Sequence, residues 1–153
     1  MIKKSLLFEI LREQNYWFKQ PLFDYIDRKT YLKEIKKHIN TKSILVIQGP
    51  RRAGKTVLLK LLIREMMKSI DKNEILYVNL EDYRLFQYYS LELIEAIYDT
   101  YREKINPDKE VYYFIDEIQN IEGFEHYLRS QYDSEKKIKF IITGSNSKLL
   151  SKE

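Results

Sequence analysis

Apolar residues recur along the chain in two rhythms. Leu6, Leu7, Ile10 and Leu11 stand at helical spacing, as do Tyr31, Leu32, Ile35 and Ile39. Such stripes predict amphipathic helices over 1–14 and from a Thr30 cap to about 39. Between them, residues 15–29 are mixed and aromatic (Tyr16, Trp17, Phe18, Phe23, Tyr25), a connector expected to pack on the body. The rhythm then changes: 43–48, 75–79, 111–116 and 138–143 are apolar runs, the first ending at Gly49 and the last at Gly144. Runs of this length predict strands, the first of them buried on both faces. Helical stripes separate them, at Leu58, Leu61, Leu62 and Met66, at Ile94, Ile97, Tyr98, Tyr101 and Ile105, and at Phe124, Tyr127, Leu128 and Tyr132. Strands alternating with helices predict an α/β fold, a mostly parallel sheet with helices on both faces.

Composition adds exclusions. The chain has 153 residues, the size of one ordinary domain, and no cysteine. That rules out a disulfide framework, a thiolate metal site and a cysteine nucleophile. The apolar start resembles a signal peptide only briefly, because Glu9, Arg12 and Glu13 interrupt it and no small-residue cleavage site follows. No run approaches the ~18 apolar residues that cross a bilayer, so a cytoplasmic protein without a membrane partner is expected. The net charge of +4 hides an asymmetry, +8 over residues 1–56 against −4 over the rest. A basic front half can attract nucleic acid or an acidic protein partner; it is equally what a solvated lysine-rich surface looks like. There are only four glycines, and two of them, Gly49 and Gly54, lie in one loop.

That loop, Gly49-Pro50-Arg51-Arg52-Ala53-Gly54-Lys55-Thr56, fits the phosphate-loop pattern G-x-x-x-x-G-K-[ST] in full. The glycines let backbone approach a phosphate without an intervening Cβ. The loop's N–H groups and the positive end of the following helix, which begins Lys55-Thr56-Val57, can then converge on the anion. Lys55 is expected to reach the β- and γ-phosphates, and the Thr56 hydroxyl to join a Mg²⁺ shell. The confirming context, a strand before and a helix after, is present in the pattern.

Sixty-one residues beyond Lys55, the run 112–115 ends in Asp116 and Glu117. Mg²⁺ takes oxygen ligands, often one carboxylate with phosphates and waters. Asp116 suits that position, directly or through another ligand, and Glu117 could orient and deprotonate a water beside the γ-phosphate. A third polar element, 143–147, follows the last strand, where ligands of such sheets bind. Asn146 is the first choice there to touch the γ-phosphate or the water, with Ser145 and Thr143 as alternatives. A hydrogen-bonded turn before a helix near Lys148 accounts for these residues as well.

Together, GPRRAGKT, 77–85, 112–129 and 140–151 resemble the AAA-type ATPase domain of a large bacterial and archaeal family, whose members typically join it to a C-terminal domain of uncharacterised role. The related archaeal STAND-like ATPases are a near second. The resemblance covers residues 26–153 and leaves 1–25 as an N-terminal helix and connector. It implies a P-loop NTPase three-layer sandwich that binds ATP or ADP with Mg²⁺. On this chain it implies phosphate contacts at Gly49–Thr56 and Val57, a metal-associated Asp116, a catalytic base at Glu117 and a sensor residue near Asn146. It also implies an adenine-side segment around residues 26–28, Tyr31 and Leu32. Such domains continue into a fifth strand and a helical lid. Neither is visible in the pattern, so an unpaired edge beside the first strand, open to self-association, is expected.

No arginine stands at an evident finger position, which predicts slow turnover. Arg84 and Arg129 are candidates in cis and also ordinary surface arginines. His38 and His126 are expected to face solvent. The tyrosines on helix faces are expected in the core rather than in nucleic-acid stacking. Tyr16, Trp17 and Phe18 are read as an exposed contact surface or as cover for the sheet edge left by the missing strand. A nucleotide-gated interaction module and a small-molecule kinase are the competing functions.

Overall fold

The structure, a computed structural model, describes residues 1–20, 29–41, 43–49, 54–134 and 137–145, with the backbone alone for 29–31 and 34. Four parallel strands, β1 (Leu45–Gln48), β2 (Ile75–Asn79), β3 (Val111–Asp116) and β4 (Ile138–Gly144), form one sheet in the order β1-β4-β3-β2. Five α-helices accompany them: α1 (Lys4–Gln14), α2 (Lys29–Ile39), α3 (Lys55–Met66), α4 (Leu91–Lys104) and α5 (Phe124–Asp133). α2 begins at Lys29, so Thr30 lies inside the helix rather than at its cap. Ser90 caps α4: its hydroxyl accepts the Leu93 N–H at 3.2 Å.

Strand alternation sorts the side chains into two cores. Tyr113, Ile115, Phe140 and Ile142 face α1, α4 and α5, while Phe114 and Ile141 face α2 and α3. The result is a helix–sheet–helix sandwich. Leu59, Leu61 and Leu62 are wholly buried on α3, and burial at each contributes about 1.5–3 kcal/mol. β1 departs from expectation: its four residues are only half-buried, because among the described residues it is an edge strand paired with β4 alone. Tyr98, Tyr101 and Tyr127 are buried as expected, whereas Tyr132, at the last turn of α5, is exposed. Both histidines are exposed.

The opposite edge, β2, is closed by side chains. Asn15 accepts the Tyr77 N–H and donates to the Tyr77 carbonyl, both at 2.8 Å. Gln14 accepts the Asn79 N–H at 2.9 Å, and the Trp17 indole donates to the Ile75 carbonyl at 2.9 Å. These amides and the indole occupy the places a neighbouring strand would take, which removes the pairing hazard of a bare edge. Trp17 is buried against Tyr101, ring centroids 5.6 Å apart, while Phe18 is exposed. Trp17 thus covers the β2 edge, not the edge beside the first strand that a missing strand was expected to leave open, and Phe18 is surface. No described helix is long and apolar enough to cross a membrane.

Candidate active site

The C-terminal ends of β1, β3 and β4 meet the start of α3, and the polar residues of the sequence motifs gather there. Gly54 precedes α3 at φ 80°, ψ 22°, a left-handed conformation that costs other L-residues about 1–2 kcal/mol. It allows the chain to enter α3 at once, with the Leu58 N–H bonded to its carbonyl at 2.9 Å. The first N–H groups of α3 have no intrahelical partner and lie at the positive end of its dipole, an arrangement suited to an anion.

Lys55, the first helical residue, is buried. Its ammonium donates to the Gly49 carbonyl at 2.8 Å and lies 3.8 Å from Glu117 Oε1. The Thr56 hydroxyl donates to Asp116 Oδ2 at 2.8 Å. Val57 is half-buried against the α3-side core. Pro50, Arg51, Arg52, Ala53, Asn146 and the 26–28 segment lie outside the described residues.

Asp116 is completely buried, and three hydroxyls converge on it. Thr56 and the Tyr77 phenol, at 2.8 Å, share Oδ2, while the Thr143 hydroxyl donates to Oδ1 at 2.6 Å. Thr143 also accepts the Glu117 N–H at 2.9 Å, so one hydroxyl ties the two carboxylate residues to β4. Alternation explains the convergence, since Tyr77, Asp116 and Thr143 all project on the α3 side of neighbouring strands. Glu117 has φ 63°, ψ 49° and is the sole non-glycine of positive φ among the described residues. That left-handed kink turns the chain out of β3 into a short 3₁₀ turn, Ile118–Asn120. Glu117 Oε2 accepts from the Gln119 amide at 2.5 Å and from the Ser145 hydroxyl at 3.4 Å. Asn120 donates to the Glu117 carbonyl at 3.1 Å and to Glu81 Oε1 at 3.0 Å.

The structure therefore gathers Lys55, Thr56, Asp116, Glu117, Thr143 and Ser145. It adds Tyr77 and Gln119, which sequence reasoning did not single out. Tyr77 sat within an apolar strand, and only the strand order shows that its hydroxyl reaches Asp116. Gln119 had a usable signal, an amide two residues past the Asp-Glu pair. Arg84 is held elsewhere: its guanidinium bonds to Asp82 at 2.8 Å and Glu13 at 2.7 Å. Hydrogen bonding from Arg84 holds both carboxyls below their usual range. Arg129 is exposed on α5.

The donor set at the β3 end is all oxygen, as a hard divalent cation requires. Thr56 spends its proton on Asp116, which leaves its oxygen lone pairs for a cation. Among the described residues no cluster of three His, Cys, Asp or Glu could hold a metal alone. A cation here would take most of its ligands from phosphate and water, the way Mg²⁺ is commonly bound. The residues fit such an ion.

The profile of the AAA domain family matches residues 41–153. The chain belongs to this AAA domain family. The match begins just before β1, so α1, the connector and α2 precede the matched part of this AAA domain chain. An uncharacterized protein of Haemophilus influenzae is 35% identical over 134 residues, covering 84% of this chain and 32% of that protein. The chain thus spans about a third of the length of this relative. The solved structure of PCH-2 from C. elegans superposes with a TM-score of 0.54 at 17% identity, over 92% of this chain and 44% of that one. At this identity the likeness is one of fold, and it confirms the α/β sandwich expected from the strand–helix rhythm.

Proposed function

We propose that this AAA domain binds ATP with Mg²⁺ and hydrolyses it slowly. The observation that carries the proposal is the bond from Thr56 to Asp116, which joins the start of α3 to the end of β3 with Lys55 and Glu117 facing each other beside it. In this reading the phosphates lie at the N-terminus of α3, where Lys55 exchanges the Gly49 carbonyl for phosphate oxygens. Thr56, backed by Asp116, holds Mg²⁺, which when bound neutralises charge on the phosphates. Glu117 takes a proton from a water. The water oxygen bonds to the γ-phosphorus as the bond to the β,γ-bridging oxygen breaks, and ADP and phosphate leave. Asn146 is the first choice to sense the γ-phosphate, with Ser145 as the alternative, since the Thr143 hydroxyl is committed to Asp116 and Glu117. Slow turnover is part of this reading: of the two candidate arginines, Arg84 is held by two carboxylates and Arg129 faces solvent, so neither of these two supplies transition-state charge.

A titration of the purified protein with ATP, with and without Mg²⁺, followed by phosphate release, tests this. Wild type should bind Mg·ATP, Lys55→Ala should lose binding, and Glu117→Gln should bind without turnover. Equal behaviour of wild type and Lys55→Ala overturns the proposal.

The net charge of +8 over residues 1–56 supports a second reading, a nucleotide-gated module for a protein or nucleic-acid partner. There, partner binding would follow ATP occupancy and would be indifferent to Glu117→Gln.

A further inference from the structure

We propose that Gln119 is a positioning residue for Glu117, fixing which carboxylate oxygen is free to act; this rests on the hydrolysis reading above. The amide nitrogen lies 2.5 Å from Glu117 Oε2 and 3.4 Å from the Ser145 hydroxyl, which itself reaches the same Oε2 at 3.4 Å. Oε2 is thereby occupied from two sides. Oε1, 3.8 Å from the Lys55 ammonium, is left facing the phosphate-loop lysine. A carboxylate terminus otherwise rotates over a broad torsional well. A charge-assisted hydrogen bond to one oxygen selects a single orientation.

The backbone reinforces the clamp. Glu117 is already in the left-handed region, and Asn120 bonds its carbonyl, so the 3₁₀ turn that carries Gln119 is tied to the residue it orients. The other end of the Gln119 amide suits an orienting role better than a structural one. Its Oε1 is buried and has no hydrogen-bond partner among the described residues. An orphaned buried acceptor weakens a fold. An apolar residue of the same length would relieve it, so stability and turnover should respond to substitution in different ways.

The test compares wild type, Gln119→Met, Gln119→Glu and Glu117→Gln by Mg·ATP affinity, kcat, KM and Tm. Gln119→Met keeps affinity and Tm and loses kcat by about 10- to 100-fold, the usual effect of removing a supporting hydrogen bond. Gln119→Glu, which sets a like charge against Glu117, loses kcat at least as far. A second readout needs no nucleotide: the Gln119 side-chain amide resonance, assigned by its loss in Gln119→Met, shifts in Glu117→Ala. Unchanged kcat in Gln119→Met, a kcat loss matched by equal losses in affinity and Tm, or an amide signal indifferent to Glu117→Ala overturns the assignment. If wild type and Glu117→Gln do not differ in turnover, the hydrolysis reading has failed and takes this one with it. If they differ and Gln119→Met matches wild type, Gln119 alone is wrong.

Discussion

The Thr56 hydroxyl donates to Asp116 Oδ2 at 2.8 Å although 60 residues separate them in sequence. The bond connects the first turn of α3 to the end of β3 across the sheet. It also sets the direction of the Thr56 hydroxyl: the proton goes to the carboxylate, and the lone pairs remain for whatever sits above the strand ends.

Thr56→Val keeps the shape of the side chain and removes that hydroxyl. Asp116 retains Tyr77 and Thr143, so folding is expected to survive. Nucleotide affinity without Mg²⁺ should be unchanged. The increase that Mg²⁺ brings should shrink about 10- to 100-fold. Paired ATP titrations by calorimetry, with Mg²⁺ and with a chelator, read the two values directly.

Thr143→Val acts on stability instead. It leaves the buried Glu117 N–H without an acceptor and Asp116 Oδ1 without a donor. Unpaired buried groups of this kind cost about 1–3 kcal/mol each, so a loss of roughly 2–6 kcal/mol is expected. That corresponds to a fall in Tm of about 6–18 °C for a domain of this size. Thr143→Ser restores both bonds and gives up only a methyl group, about 1 kcal/mol. Thermal unfolding of the pair separates the hydroxyl from the methyl.

Elements set by local pattern were legible in the sequence. β2 and β3 span the expected residues. Loop and strand-end motifs named Lys55, Thr56, Asp116 and Glu117, which the fold brings together. What escaped depends on which strands are neighbours. In an apolar run such as 75–78, nothing distinguishes one face from the other, so the contact of Tyr77 with Asp116 follows only from the pairing of β2 with β3. The half-burial of β1 likewise reflects its place at the sheet edge rather than its composition. Gln14 and Asn15 look like an ordinary polar helix end, yet they bond to backbone more than sixty residues away.

Asn15→Ala tests that edge closure. Asn15 is buried, and its amide serves both the N–H and the carbonyl of Tyr77. Its removal should cost about 2–6 kcal/mol by taking the Asn15 partner from two backbone groups. It also opens the outer edge of β2 to another strand. A lower urea midpoint, together with concentration-dependent association in light scattering, is expected. Asn15→Asp should fare no better, because a carboxylate accepts the Tyr77 N–H but repels the Tyr77 carbonyl.

Alkaline pH should unfold the protein through its tyrosines. Burial raises the phenols of Tyr101, Tyr113 and Tyr127 well above their ordinary value of 10, and raises Tyr89 to about 12. Below pH 10 these groups are neutral in both states and their contribution is complete. Above it the unfolded chain releases protons that the folded chain keeps, so stability falls as pH rises. The loss approaches about 1.4 kcal/mol per pH unit for each buried phenol, or at most about 4 kcal/mol per unit for Tyr101, Tyr113 and Tyr127 together. Lys139 works in the opposite direction. Burial lowers its ammonium below the ordinary 10.5, so the folded chain releases that proton first and gains stability with pH up to that value. Well beyond pH 10.5 the lysine is neutral in both states, so the phenols alone set the slope and it is negative. Urea midpoints across this range should fall with pH, and tyrosinate absorbance should appear in step with the loss of helical signal. Tyr113→Phe removes one of these raised phenols and should make the slope shallower; an unchanged slope would mean that the buried phenols do not govern the transition.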